Sequence, residues 1–322
     1  MSDIFNLANE NGSSEKVTCG LAGIDESIGG FTYGGNYLLA GHRKSGKSSL
    51  LIGFINHWLL NGIRVGYINS EMEETYLLKM LQANFFEKTK DDLKYNDSIE
   101  YENRFRGQLL YSSPKDIRDA TGLSVEKIGL KIKELVANGA KIIVTDNLTK
   151  LQESAQNGIP GYQNLAKGVS TVTTLCRDSK ILGFTVLHTK DELMFTETPE
   201  GIAKAVEDKL PEKIFEKSVT ILRKPSSASI YGGGSTKTDL LGTMLLWRPY
   251  QTFSDPKYTE LSQLIFEDFR GEAPLESLRL LFDGAKNKFT EDIAEVAKAI
   301  FEKDEVTVVP ENKIDLNEEI PF

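Results

Sequence analysis

The chain has 322 residues, 40% of them hydrophobic and 26% charged, and its net charge is -9. This length suffices for one large α/β domain or two smaller domains, and the acidic balance argues against a generally basic surface for nucleic acid. Two cysteines and three histidines argue against a disulfide framework and a structural zinc site. The sequence shows no signal peptide and no apolar run long enough to span a membrane, so we expect a cytoplasmic protein.

Strands and helices are predicted to alternate in the first half of the chain. Residues 1–18 are polar and are predicted to form an N-terminal arm, and the glycine-rich residues 20–35 lead into the first strand. Apolar runs and helical periodicity predict the elements that follow. They are a strand at 37–40, a helix at 49–60, a strand at 64–69, a helix at 74–88, a short strand at 108–111 within the polar segment 89–120, a helix at 124–137, a strand at 141–146, a helix at 164–179 and a strand at 184–187.

Strands crowd together in the second half. Residues 190–217 are charged and give no strong structural signal. The predicted strands that follow are 218–222, 243–247, 262–266 and 278–282. This order predicts an α/β fold whose central sheet is mostly parallel, flanked by helices and extended by C-terminal antiparallel strands or a hairpin. We place this domain at residues 19–290, and a C-terminal helix with an acidic tail at residues 291–322.

One motif dominates the sequence. Residues 41–48 read Gly-His-Arg-Lys-Ser-Gly-Lys-Ser and fit the pattern G-x-x-x-x-G-K-[ST] between a predicted strand and a predicted helix. Backbone N–H groups of such a loop cradle phosphates, Lys47 adds a charge on the outer phosphates, and Ser48 can hold Mg²⁺. The residues expected to bind ATP are Gly41, His42, Arg43, Lys44, Ser45, Gly46, Lys47, Ser48 and Ser49. The alternative is a glycine-rich turn that matches by chance.

Three further predicted strands end in chemically useful side chains, and ligands of such folds lie at the carboxyl ends of the strands. Asp146 ends one strand and is expected to orient Mg²⁺ together with Ser48. Glu71 follows another and is expected to be the general base or to position water for attack on the γ-phosphate. His188 ends a fourth strand and is expected to sense that phosphate. The alternatives are a solvated cap at Asp146, an exposed acidic turn at Glu71 and a structural histidine.

Several segments together resemble a known family. They are 20–25 with Gly29 and Gly30, the loop 41–48, residues 69–72, residues 142–148, residues 234–239 with 244–249, and residues 269–271 with 282–284 and Phe289. Over about residues 18–290 the chain resembles the RecA-fold P-loop ATPases, and most closely the DnaB-like replicative hexameric DNA helicases. The resemblance implies a homohexameric ring that couples hydrolysis of Mg-ATP, at interfaces between subunits, to movement on single-stranded DNA during replication.

The same resemblance implies roles for individual residues. Glu71 matches the family's catalytic Glu, and Arg270 matches an arginine finger that reaches the ATP of the neighbouring subunit, with Arg279 and Arg248 as competitors. His188 occupies a position where bacterial DnaB proteins carry Gln and phage primase-helicases carry His. We see no room for an N-terminal primase or collar domain. This favours a phage-type helicase in a bacterial or phage-infected cell.

Two loops and the tail carry the predicted contacts with partners. Residues 150–167 and 190–234 are expected to contact DNA, since Lys and Arg there can neutralise phosphates; solvated loops are the alternative. Residues 302–322 hold seven acids and two bases, a net charge of -5. Residues 315–322 resemble the acidic tip of bacterial single-stranded-DNA-binding proteins and are expected to dock on a replication protein, unless the tail only solubilises the chain.

A second class of function stays open at this stage. The chain could be an ATP-switched DNA-binding protein, similar to a RecA/RadA recombinase or to a KaiC-like regulator. Glu71 and the C-terminal segments 269–271 and 282–284 favour a DNA-translocating ATPase. The short length of the chain keeps the ATP-switched DNA-binding protein as an alternative.

Overall fold

The elements of the fold are taken from a computed structural model. It describes residues 15–120, 122–153, 160–190, 193–197, 218–222, 224–231, 240–248, 261–270 and 277–291. The predicted acidic tail, most of the predicted arm and most of the second predicted DNA loop lie outside these ranges. The domain boundaries therefore remain predictions.

Six α-helices and fifteen strands lie in the described ranges. The helices are α1 (Ala22–Ile28), α2 (Lys47–Leu60), α3 (Glu74–Phe86), α4 (Tyr95–Phe105), α5 (Val125–Ala137) and α6 (Gly161–Asp178). The strands are β1 (Lys16–Val17), β2 (Phe31–Thr32), β3 (Gly35–Gly41), β4 (Val65–Asn69), β5 (Leu109–Ser112), β6 (Arg118–Asp119), β7 (Gly122–Leu123), β8 (Ile142–Asp146), β9 (Leu182–His188), β10 (Leu193–Glu197), β11 (Ser218–Leu222), β12 (Gly242–Trp247), β13 (Leu261–Glu267), β14 (Ser277–Asp283) and β15 (Lys288–Glu291).

The central sheet has nine strands in the order β15-β14-β13-β12-β3-β9-β8-β4-β5. The six strands from β12 to β5 are parallel, and β13, β14 and β15 add antiparallel strands at one side. This architecture confirms the predicted fold class. Parallel strands need crossover connections, and the helices that supply them cover both faces of the sheet.

Two apolar clusters separate the faces of the sheet. One joins Phe54 of α2 and Leu77 of α3 to alternate strand residues such as Leu39. The other joins Ile128 of α5 and Val169 of α6 to the intervening residues, such as Leu38. Successive strand residues point to opposite faces, so each buried strand contributes to both clusters and reads as a continuous apolar run.

Helix α5 shows why its sequence pattern was reliable. The Ser124 hydroxyl caps the helix by accepting the Lys127 N–H, and the buried side chains recur every three or four residues. Helix α2 is apolar on nearly all sides because it is buried between the sheet and α3.

Helix α4 was not predicted; only a short strand was expected in the polar segment 89–120. Its apolar signal rests on Tyr101 and Phe105, which are buried one turn apart, while most of its other side chains are polar. Asp97 stabilises its start by accepting the Lys94 N–H at 2.8 Å and pairing with Lys88 at 2.7 Å. Such local capping has no apolar periodicity to reveal it.

Strand β11 was predicted, but its partner was not. It pairs antiparallel with β10 in a separate two-stranded sheet, and β10 lies in the charged segment where no strand was expected. Within the described ranges, no helix is long and apolar enough to cross a membrane.

Candidate functional site

Four neighbouring strands of the central sheet carry the predicted site residues at one edge. Gly41, at the end of β3, pairs with His188 at the end of β9, and Asn69, at the end of β4, pairs with Asp146 at the end of β8. Strands β3, β9, β8 and β4 are adjacent. The sheet thus brings together the phosphate loop, Glu71, Asp146 and His188, as the strand-end argument predicted.

The phosphate loop is tightly built. Gly46 adopts φ 97°, in the left-handed region, and α2 begins at the next residue, Lys47. The Lys47 side chain is buried, and its Nζ donates to the carbonyl oxygens of Gly41 (3.0 Å) and His42 (2.6 Å). The ammonium group is therefore held inside the loop at the N-terminus of α2, where an anion is favoured.

Close packing explains the two loop glycines. A Cβ on Gly41 would lie 2.4 Å from the carbonyl oxygen of Leu246 in β12. A Cβ on Gly46 would lie 2.8 Å from the ring of Phe289 in β15, besides requiring a strained φ. The loop is thus wedged between β12 and the β14–β15 hairpin.

Asp146 lies beside the start of α2. Its carboxylate accepts hydrogen bonds from Ser48 and, at 2.6 Å, from the Tyr67 hydroxyl. Burial raises the pKa of Asp146, and these two hydrogen bonds oppose the rise. A hydroxyl and a carboxylate are hard oxygen donors of the kind that hold Mg²⁺ with phosphates and water completing the shell, so the pair fits this ion. No group of three or more His, Cys, Asp or Glu side chains suited to a metal occurs in the described ranges.

A turn after β4 positions Glu71. The buried Asn69 side chain accepts the N–H groups of Glu71 (3.0 Å) and Met72 (2.9 Å) through Oδ1. Ser70 bonds to the backbone of Asn147 through its hydroxyl in both directions, at 2.6 and 2.9 Å, and so ties this turn to the end of β8. The Glu71 backbone is therefore fixed, and its side chain is 35% exposed.

Three polar side chains surround the Glu71 carboxylate. His188 Nε2 lies 3.8 Å and Lys150 Nζ 3.7 Å from Oε1, and Asn147 Nδ2 donates to the same oxygen at 3.4 Å. The interaction with His188 is the largest cause that lowers the pKa of Glu71; burial opposes it, and the charges of Lys150 and Lys47 add to it. The carboxylate is therefore ionised at neutral pH and able to accept a proton or orient water.

His188 is held between Glu71 and the loop that follows β8. Its backbone N–H donates to the Thr149 hydroxyl at 2.8 Å, and its side chain is 12% exposed. Its buried Nδ1 has no hydrogen-bond partner within the residues that the structure describes. The next residue, Thr189, contacts His42 of the phosphate loop, with 3.3 Å between Oγ1 and Nδ1.

The phosphate loop with Glu71 and Asp146 beside it is an arrangement typical of ATPases, and a comparison with protein families points the same way. The DnaB-like helicase C terminal domain matches residues 16–183. The chain belongs to this family. The match ends within β9 and does not cover the strands from β10 onward. The place of those strands in the fold comes from the structure alone.

Solved structures show the same fold over most of this helicase domain. The ATPase domain of one solved protein matches with a TM-score of 0.64 and 14% identity, over 90% of this chain and 96% of that one. A DnaB-like replicative helicase, solved in a study of its interactions with primase, matches with a TM-score of 0.64 and 15% identity, over 90% of this chain and 65% of that one.

A third solved structure comes from outside the helicases. A KaiC-like protein from the archaeon Pyrococcus horikoshii OT3 matches with a TM-score of 0.56 and 14% identity, over 87% of this chain and 99% of that one. A comparison with curated protein sequences found no match.

The three candidate arginines of the helicase domain occupy different places. Arg270 follows β13, and its N–H donates to Leu241, whose own N–H donates to Asn36 near the start of β3. Arg270 is thus at the edge of the sheet opposite to its own phosphate loop, about 20 Å away along β3. Arg279 projects from the middle of β14, where it is exposed and opposite Gln263.

Arg248 lies against its own phosphate loop instead. Its Nη1 donates to the Lys44 carbonyl at 3.4 Å, and its guanidinium lies 4.4 Å from the centre of the Phe282 ring. Phe282 in turn packs against Phe289, with 4.6 Å between ring centroids. A finger from a neighbouring subunit has to approach from outside, so this position does not suit Arg248 for that role.

Sequence reasoning missed several members of the site. Tyr67 is one of many buried strand residues, and nothing in its pattern marks it as a partner of Asp146. Asn147 and Lys150 could have been flagged because they lie one and four residues after Asp146, but their contact with Glu71 depends on the pairing of β4 with β8. Arg248 was considered only as a finger, and its stacking on Phe282 depends on the fold of the C-terminal hairpin.

Proposed function

We propose that this helicase domain hydrolyses Mg-ATP at subunit interfaces of a ring and uses the cycle to move on single-stranded DNA during replication. The proposal rests on one observation. The phosphate loop with Lys47, the Ser48–Asp146 pair and the ionised Glu71 lie together at one edge of the sheet. Membership of the DnaB-like family supports use of a nucleoside triphosphate and a helicase-type function.

Each side chain has a physical role in the proposed hydrolysis. Lys47 and the start of α2 stabilise negative charge on the outer phosphates. Ser48 and Asp146 would hold Mg²⁺, which would neutralise charge between the phosphates. Glu71 orients the attacking water and accepts its proton, and Asn147 and Lys150 keep the Glu71 carboxylate in place. His188 lies close enough to Glu71 to respond to the state of the γ-phosphate.

The nucleoside end of the ligand also has candidate partners. Arg248 and Phe282 stack beside the phosphate loop, next to the residues that would hold the phosphates. A guanidinium and an aromatic ring both favour flat contacts with a planar base. We propose that these two side chains contact the base of the bound nucleotide.

Arg270 supports action between subunits. An exposed arginine about 20 Å from its own phosphate loop cannot reach a γ-phosphate bound there. The same position on the outside of the domain is available to a neighbouring copy in a ring. The proposed partners are therefore further copies of this chain in a hexamer, single-stranded DNA, and a replication protein bound by the acidic tail, which lies outside the described ranges.

Mixing variants tests the arginine. Arg270→Ala subunits have an intact phosphate loop but no finger, and Lys47→Ala subunits have the converse defect. Arg270→Ala alone is expected to lose turnover by about 10³-fold or more, and Lys47→Ala alone by at least about 10²-fold. Mixtures should recover part of the activity, because some interfaces then join an intact loop to an intact finger. ATPase activity at several mixing ratios is the measurement. If Arg270→Ala alone is fully active, the finger lies elsewhere, with Arg279 the next candidate.

An ATP-switched protein of the KaiC-like kind is the second candidate, favoured by the structural similarity to the KaiC-like protein. Stimulation by DNA separates the two. ATPase activity should rise with single-stranded DNA, and the DNA affinity should fall steeply between about 50 and 200 mM salt, since phosphate contacts release counterions. An ATPase that is indifferent to DNA at low salt would contradict the motor.

Two variants sharpen this test. Replacing Arg223 and the exposed Lys224 together by Ala should weaken DNA stimulation and leave basal turnover unchanged. Lys79→Ala, an exposed lysine of α3 on the face of the sheet opposite to α6, is the matched control and should change neither.

A further inference from the structure

The turn between β14 and β15 reaches back to the helix that follows the phosphate loop. The Asp283 side chain closes the turn by accepting the N–H groups of Ala285 (3.0 Å) and Lys286 (3.1 Å). Asn287 ends the turn with φ 54°, a conformation that Asn tolerates better than most residues. Its side chain is 2% exposed, which is unusual for a polar residue in a hairpin turn.

Asn287 uses its polar groups to join three elements. Its Oδ1 accepts a hydrogen bond of 2.5 Å from the buried Ser49 hydroxyl in the first turn of α2. Its carbonyl oxygen accepts one of 3.0 Å from Asn84 Nδ2 in α3, and its own Nδ2 donates to the Met80 carbonyl at 3.5 Å. Buried polar groups have to be paired, so these hydrogen bonds fix the turn in one position relative to α2 and α3.

The Ser49–Asn287 hydrogen bond joins two elements, α2 and the β14–β15 hairpin, that differ in how firmly the rest of the fold holds them. Helix α2 is buried along most of its length between the sheet and α3. The hairpin ends in β15, which lies at the edge of the nine-stranded sheet and, among the strands that the structure describes, pairs with β14 alone. An edge strand has fewer restraints than a buried helix, so the Ser49–Asn287 bond fixes the hairpin to the helix rather than the reverse.

The hairpin carries the aromatic side chains that border the loop. Phe289 packs against Gly46, and Phe282 lies under Arg248. A shift of the turn by about 1 Å would move both rings relative to the phosphate loop, and contacts of this kind are sensitive to such shifts.

We propose that Asn287 is a positioning residue for the nucleoside part of the ligand: by anchoring the hairpin to Ser49, it holds Phe282 where the base binds. The inference rests on the proposed nucleotide site. It names a residue that contacts neither the phosphates nor the base and acts through the hairpin.

Two variants of the full-length chain separate the side chain from the backbone. Asn287→Gly keeps the left-handed φ and removes the acceptor of the Ser49 hydroxyl. Ala285→Gly adds similar backbone freedom at an exposed position of the same turn and leaves the Asn287 side chain in place. With ATP as the probe, we expect Asn287→Gly to raise the Kd about tenfold, the scale of one lost buried hydrogen bond. Ala285→Gly should stay close to the parent protein.

Tripolyphosphate is the second probe, because it has the phosphates but no base. Its Kd should be the same for all three proteins if Asn287 acts through the hairpin. Equal weakening of ATP and tripolyphosphate in Asn287→Gly, or an ATP Kd that does not change, would overturn the inference. So would an Ala285→Gly protein as weak as Asn287→Gly, because backbone freedom in the turn and not the side-chain bond would then account for the loss.

Two further results keep the test decisive. If Asn287→Gly does not fold, as judged by its thermal transition, Asn84→Ala removes the bond to the Asn287 carbonyl from the α3 side and should give the same contrast between the two probes. A parent protein that binds neither ATP nor tripolyphosphate would overturn the proposed function itself. A parent that binds both, with variants that show no contrast, overturns only the role of Asn287.

Discussion

Lys47→Ala is expected to lower ATP turnover by at least about 10²-fold, the scale of losing one preorganised electrostatic donor to a reacting phosphate. The ammonium group is buried in the loop and held by the Gly41 and His42 carbonyls, so the variant removes a charge that the loop fixes in place. Steady-state hydrolysis of ATP and binding of a fluorescent ATP analogue are the measurements.

The control for this variant is Lys133→Ala, which removes a lysine of the exposed α5 face. It should keep full turnover and the same thermal transition. Lys47→Ala should also keep its thermal transition to within a few degrees, because it loses hydrogen bonds within one loop and no apolar burial. Near-normal hydrolysis by a folded Lys47→Ala protein would refute the assignment of residues 41–48 as the phosphate site.

Glu71→Gln is expected to bind ATP as the parent does and to hydrolyse it about 10²- to 10⁴-fold more slowly, the range for loss of a general base. The amide keeps the shape and can still face Asn147, but it cannot accept a proton. Single-turnover hydrolysis and equilibrium binding, measured on one preparation, separate the two effects. A loss of binding with normal turnover of the bound fraction would make Glu71 a structural residue.

Two comparisons strengthen the test of Glu71. Glu73→Gln changes an exposed acid two residues away, at the N-terminal boundary of α3, and should leave turnover unchanged. The pKa of Glu71 is lowered, chiefly by His188, so the active carboxylate persists at pH values below the ordinary range for Glu and is lost only as the pH falls through this lowered value. Replacing His188 by Gln should raise that pKa and move the acid loss of turnover to higher pH.

The phosphate loop and the strand-end residues were predictable because they are local. A loop of fixed spacing between an apolar strand and an apolar helix needs no tertiary information, and parallel strands place their carboxyl ends at one edge whatever their order. The same logic predicted the fold class, since alternation of strands with helices forces crossovers and a parallel sheet. Helix α4 escaped because two aromatic residues among polar neighbours do not establish a period.

The environment of each candidate depended on contacts between distant parts of the chain. Glu71 meets Lys150 and His188 only because β4, β8 and β9 are neighbours, and its lowered pKa follows from that order. Tyr67 becomes the partner of Asp146 for the same reason.

The sequence by itself determined that a phosphate loop, a strand-end carboxylate at Asp146 and an acid at Glu71 share one edge of a mostly parallel sheet, because spacing and strand direction fix these features. Only the tertiary structure decided which arginine lies beside the phosphate loop and which lies far from it. Arg248 and Arg270 are 22 positions apart, yet β13 runs antiparallel to β12 and carries Arg270 to the opposite edge. The direction of one strand pair therefore separates an arginine that lies beside its own phosphate loop from one at the opposite edge of the sheet.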